Sequence, residues 1–156
     1  MKNMPVAKSR KKIPDITIGT TTTTLSLVDG LPSCWGEIII NDFKEKFIMS
    51  LDSWSLNDYQ QQWREGLAKI HQQSQSCLVT SAQNLTTKPL VNWWVLYRHG
   101  DTIFIQNHLL FGKRFATKLA KIPFTPATCY DYIPPRETIS DDGTPISEWS
   151  VKVDVL

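Results

Sequence analysis

Residues 91–110 read VNWWVLYRHGDTIFIQNHLL. Two β-rich runs flank a turn placed at His99 and Gly100. Successive side chains of a strand point to opposite faces. On the first run Trp93, Val95 and Tyr97 take one face, and Trp94 and Leu96 take the other. Apolar residues on both faces describe a central strand covered on two sides. The second run agrees, with Ile103 and Ile105 on one face and Phe104 on the other. A covered hairpin therefore sits at the centre of the domain.

Upstream, CWGEIIINDFKEKFIM (34–49) is a second hairpin, with Asn41 and Asp42 as its two-residue turn. Between the hairpins runs the clearest helix, SWSLNDYQQQWREGLAKIHQQ (53–73). Ser55 is its N-cap, and Asp58 stands three residues on, where an acid reaches back to the cap. Leu56, Tyr59, Trp63, Leu67 and Ile70 form the helical stripe. Gln60, Gln61, Arg64, Glu65 and Lys69 fill much of the rest. SCLVTSA (76–82) is a short strand.

Downstream, residues 111–120 predict a short second helix. Prolines at 123, 126, 134 and 135 then force an irregular crossing. SDDGTP (140–145) is a turn, and the chain ends in a strand. There Trp149, Val151, Val153 and Val155 share one parity, and Glu148, Ser150, Lys152 and Asp154 share the other. Glu148 and Trp149 therefore do not share a pocket, which removes an acid-against-indole catalytic reading. Glu148 is expected to face water or a partner.

The order of elements predicts an α+β fold. It has a mainly antiparallel sheet of about five to six strands, with two hairpins, packed on one long helix, plus the short second helix. The chain of 156 residues is one ordinary domain. Residues 1–14 read as a flexible basic arm. Residues 15–33 are an extension whose Thr-rich part, 15–28, is a candidate edge strand. Residues 34–156 form the single domain proper. Five of the seventeen basic residues lie in the first twelve positions. The twelve that remain face fifteen acids, so the body carries −3 while the whole chain carries +2. A basic arm on a mildly acidic body differs from a basic nucleic-acid binder.

Hydrophobic residues make up 41%, which excludes a disordered chain. No apolar run is long enough to span a membrane. The polar, Thr-rich stretch after the basic start does not suit a secretion signal, so a cytoplasmic protein is expected. Three widely spaced cysteines form no Cys-x-x-Cys pair and read as small core residues in a reducing compartment. His71, His99 and His108 stand at no metal spacing. There is no phosphate-cradling glycine loop and no nucleophile elbow. Asp141 and Asp142 are adjacent carboxylates in a turn, where Asp is favoured for its backbone bonds. No cofactor, metal or small-molecule substrate is implied.

Six tryptophans are many for this size. Most should be core, with one or two left at a surface where an aromatic anchors a protein partner. The nearest nucleic-acid candidate is the basic segment with Lys113, Arg114, Lys118 and Lys121, which reads more readily as a solvated helix face. A nucleic-acid-binding module using the arm and this segment stays open beside a protein-binding reading. So does a small hydrolase with dispersed acids such as Glu137 and Glu148.

An ordered set of pieces carries a resemblance over Trp35 to Val155. The pieces are WGEIIINDFKEKF (35–47), DYQQQW (58–63), WWVLYRHGDTIFIQN (93–107), YDYIPPRE (130–137) and DGTPISEWSV (142–151). The chain resembles the immunity proteins (CdiI-type) of bacterial contact-dependent growth inhibition and related polymorphic toxin systems. The resemblance implies a non-enzymatic cytoplasmic protein that binds the C-terminal toxin domain of a cognate effector, often a nuclease. It transfers no catalytic residue. From the sequence, the candidate toxin contacts are the turn and exposed-parity acids Asp42, Asp101, Asp141, Asp142 and Glu148. Tyr130 and Tyr132 in the proline-rich crossing join them. Direct nucleic-acid binding is not expected.

Overall fold

The computed structural model describes residues 16–22 and 25–153. The arm at 1–14 and Val155 lie outside these residues. The α+β class and antiparallel pairing hold, but the described residues form eight strands in two sheets rather than one sheet of five to six.

In the first sheet the long strand β3 (Leu31–Ile40) is central. It pairs on one side with β4 (Phe43–Ser50) through the Asn41–Asp42 turn. Asn41 there adopts φ 53, a left-handed conformation that Asn tolerates. On its other side two short strands share the edge. These are β1 (Ile16–Thr20) against Gly36–Ile40, and β2 (Ser26–Val28) against Leu31–Ser33. The Thr-rich segment therefore supplies two edge strands. It shows little apolar alternation because an edge strand can be held by backbone pairing while much of its surface stays wet.

The second sheet has the order β5-β6-β7-β8, formed by Gln75–Gln83, Leu90–His99, Thr102–Phe111 and Trp149–Lys152. Trp93, Trp94, Val95, Leu96 and Tyr97 of β6 are all buried, which is the two-sided cover its sequence announces. The β6–β7 turn is one residue later than the sequence reading. His99 pairs with Thr102, so Gly100 and Asp101 make the turn. Gly100, at φ 63, supplies the left-handed residue.

Helix α1 (Leu56–Ile70) opens with the expected reciprocal cap. Asp58 N–H donates to Ser55 Oγ (3.1 Å), and Ser55 N–H donates to the Asp58 carboxylate (2.9 Å). The helix runs along the open edge of β5. Gln62 Nε2 donates to the Cys77 carbonyl (2.8 Å), and Val79 N–H donates to Gln62 Oε1 (2.8 Å). Trp63 Nε1 donates to the Val79 carbonyl (2.7 Å), and Ala82 N–H donates to Tyr59 Oη (2.9 Å). The helix thus supplies the bonds that a fifth strand would have made, and it hides an edge that would otherwise invite pairing. Gly66 permits the close approach, since a Cβ there would stand 2.3 Å from the Cys77 carbonyl oxygen.

The two sheets meet where Phe43 of β4 packs on Trp149 (ring centroids 4.7 Å apart) and Trp94 (6.1 Å). Asn41 Nδ2 donates to the Ser150 carbonyl of β8 (3.0 Å) across the same seam. Helix α2 (Gly112–Leu119) buries Phe115, which meets Phe124 and Tyr132 edge to face.

Candidate functional site

The proline-rich crossing lies over the face of the second sheet that carries Tyr97, Phe104 and Gln106. Tyr97 Oη donates to the Pro134 carbonyl (2.9 Å). The Arg136 guanidinium lies 4.0 Å from the Phe104 ring centroid. Gln106 Nε2 donates to the Glu137 carbonyl (2.9 Å) and to Glu148 Oε2 (2.7 Å). Its Oε1 stands 2.8 Å from His108 Nε2, and burial holds the His108 pKa below its ordinary value.

Glu148 closes this network instead of standing free in water. Arg136 grips its carboxylate with two bonds, Nε to Oε2 (2.8 Å) and Nη2 to Oε1 (2.7 Å), and the carboxylate side chain is only 18% exposed. The Arg136 bonds, helped by Gln106, hold the Glu148 pKa below the usual carboxylate value against the opposing effect of burial. Strand parity put Glu148 on the face opposite Trp149, and Trp149 does pack elsewhere, on Phe43 and Trp94. What parity could not show is that residues 134–137 cover the Glu148 side.

The two tyrosines of the crossing are also drawn inward. Residues 129–132 form a 3-10 turn. Tyr132 is buried, and its hydroxyl donates to the Ile122 carbonyl. Tyr130 is half-buried. Its hydroxyl accepts from Gln62 Nε2 (3.1 Å), and the Lys69 ammonium lies 4.6 Å from its ring centroid. Burial raises the Tyr130 pKa. Neither ring stands free as a partner anchor. Lys118 of the basic segment is similarly engaged, donating to the Asp131 carbonyl (2.6 Å) and lying 4.5 Å over the Tyr132 ring.

Asp42, Asp101, Asp141 and Asp142 are exposed at turns. Asp42 belongs to the β3–β4 turn. Asp101 belongs to the β6–β7 turn and pairs loosely with Lys152 of β8 (3.4 Å). The Asn41 bond to Ser150 and the Asp101 bond to Lys152 bring both turns to the two ends of one short strand. Asp142 accepts from the Ser140 hydroxyl and the Thr144 N–H (3.0 Å), which closes its turn and lowers its pKa to about 2. Asp141 is exposed beside it. These groups make anionic turn tips and no reacting pair. Among the described residues no group of three or more His, Cys, Asp or Glu could hold a metal, and no helix is long and apolar enough to cross a membrane.

The family model described as "CdiI N-terminal domain" matches residues 49–156. The chain belongs to that family. A curated relative, "Immunity protein CdiI" of Enterobacter cloacae subsp. cloacae, is 28% identical over 113 residues, which are 72% of this chain and 74% of the relative. A solved chain of the "CdiA-CT/CdiI toxin and immunity complex from Enterobacter cloacae" superposes with a TM-score of 0.72 at 25% identity, covering 88% of this chain and 90% of that one. That cover is longer than the span matched by the CdiI family model, so the likeness reaches into the first sheet. Within the CdiI span lie α1, the second sheet and the crossing with its Arg136–Glu148 latch. Asp42 lies outside it.

The sequence expects one or two tryptophans at the surface without saying which, and it does not single out the apolar end of β7. Trp35 is 38% exposed on β3, whereas the other indoles are buried or half-buried. Leu109 and Phe111 on β7 are 54% and 65% exposed. Their signal was available, because both continue the parity of Ile103 and Ile105.

Proposed function

We propose that this chain is an immunity protein. It binds the C-terminal toxin domain of a cognate contact-dependent growth inhibition effector in the cytoplasm and neutralises it without chemistry of its own. The observation that carries the reading is family membership, joined to a likeness covering 88% of the chain to a protein solved in a toxin and immunity complex. The proposed target is a nuclease. Its phosphate-binding surface is cationic, and the exposed turn acids Asp42, Asp101, Asp141 and Asp142 complement such a surface. Complementary charge speeds encounter and selects the partner, while buried anchors slow release.

The test is co-expression with the toxin domain encoded beside this gene. Cells carrying the toxin should grow when this protein is made and stop when it is not. Equal killing in both cases sinks the reading.

A further inference from the structure

Paired residues of β6 and β7 share a face, in the order Leu96 with Ile105, Trp94 with Asn107, Asn92 with Leu109 and Leu90 with Phe111. At one end this face is covered. Leu96, Ile105 and Trp94 are buried, and Phe43 of the first sheet packs on Trp94. Past Trp94 the cover stops. Asn107 and Asn92 cross the strip there, with Asn107 Nδ2 donating to Asn92 Oδ1 (3.0 Å), and beyond them the face turns apolar again. A sheet face turned to water normally alternates to polar residues. Here Leu109 and Phe111 stand 54% and 65% exposed instead. The loop before β6 and the start of α2 raise the sides of a groove of 660 Å³ around them. Leu90, Pro89 and Ala116 complete its apolar lining.

Among the described residues the only charges lining the groove are Lys88 and Lys113. Both are exposed, and neither is paired with a carboxylate among the described residues. The β6–β7 turn with Asp101 lies at the far end of the same strands, about 30 Å away at the usual rise per residue. The molecule thus has an anionic turn at one end of this sheet and an apolar groove with a cationic rim at the other.

We propose that this groove docks one segment of the toxin domain, a segment with apolar side chains flanked by carboxylates. The proposal rests on the immunity reading and adds the face and the chemistry. An apolar floor rewards desolvated side chains at the centre of an interface. Two unpaired ammonium groups at its rim repel a phosphate-binding surface and attract an acidic one. The groove therefore holds the toxin by a surface other than its nucleic-acid-binding face.

The experiment is calorimetric titration of the full chain with a catalytically inactive form of the neighbouring toxin domain. One variant joins Leu109→Asp with Phe111→Asp. A second joins Lys88→Glu with Lys113→Glu. A third, Asp42→Lys with Asp101→Lys, probes the other end. All these side chains are exposed and the Asp101–Lys152 pair is loose, so circular dichroism should not change and the melting temperature should move by no more than about 2 °C. The Leu109 and Phe111 variant should weaken binding by about 100-fold, the scale of a central anchor, and the Lys88 and Lys113 variant by about 10-fold, since it sets glutamates against the segment's carboxylates at the rim. Groove variants that bind like the wild type, with toxin still neutralised, overturn the groove and leave the immunity reading standing. If the aspartates weaken binding and the glutamates strengthen it, the acidic character of the segment is overturned. A wild-type chain that does not bind at all overturns the immunity reading and this surface with it.

Discussion

Gln62 stands between α1 and the open edge of β5 as a peptide group would. Its amide donates to one carbonyl and accepts from one N–H of the same strand edge, and its second N–H reaches Tyr130. The residue is fully buried, so no water can replace these bonds. Gln62→Leu keeps most of the volume but leaves the Val79 N–H and the Cys77 carbonyl without that partner. Each orphaned buried group costs about 1–3 kcal/mol, so the variant should lose about 3 kcal/mol. Urea unfolding reads this as a lower midpoint at unchanged slope. A loss below about 1 kcal/mol would show that the strand edge finds other partners. Glu148 gives the second test at this scale. Its folded pKa lies below the ordinary value because Arg136 binds the ionised form. The unfolded chain therefore takes up the proton first. The stabilisation is complete above the unfolded pKa of about 4.3 and fades as pH falls through the folded value. Glu148→Gln cannot lose what it never had. Its melting temperature should fall less steeply than that of the wild type below about pH 4.3. Parallel acid limbs for the two proteins would sink this account.

At the scale of elements, α1 and β5 form one unit through the space left at Gly66. Alanine would raise intrinsic helix propensity by about 1 kcal/mol. Its methyl group, however, would meet the Cys77 carbonyl oxygen at 2.3 Å, which is backbone and cannot swing away. The helix would have to lift from the strand edge and stretch the Gln62 and Trp63 bonds. Gly66→Ala should therefore lower the melting temperature by several degrees despite the better propensity, and a rise would refute the contact. The same unit shows what the sequence can and cannot tell. The ends of α1 were legible because Ser55 and Asp58 satisfy a local rule, and its stripe was legible because Tyr59, Trp63 and Ile70 are apolar at helical spacing. Gln62 was not, because it stands in the run Gln60–Gln62 and patterning sends glutamine to water. A helix on a sheet face needs only apolar side chains. A helix on a strand edge needs a polar one, and which of three identical residues serves depends on the strand. Tyr132 and Glu148 were misplaced for a related reason. Their partners, the Ile122 carbonyl and Arg136, belong to an irregular crossing whose path has no period to read. The exposed acids of the turns were legible, because turn chemistry is local.

The whole molecule carries its charge unevenly, and this bears on how fast it meets a toxin. The full chain is +2, and removal of residues 2–12 with their five basic side chains leaves −3. For a toxin whose phosphate-binding face is cationic, the arm opposes the long-range attraction supplied by Asp42, Asp141 and Asp142. Fields of this kind act over about 10 Å at 0.1 M salt and are screened above it. They change the rate of encounter more than the lifetime of the complex. A chain lacking residues 2–12 should therefore associate faster than the full chain at low ionic strength, by a few-fold. The two rates should converge as salt is added, and dissociation rates should match throughout. Stopped-flow mixing with an inactive toxin domain over a salt series separates these quantities. The Leu109→Asp and Phe111→Asp variant should differ in signature, with its loss mainly in faster release, because Leu109 and Phe111 act only after contact. If truncation slows association at low salt, the arm attracts the toxin, and the charge argument for the turn acids fails while the groove remains testable on its own.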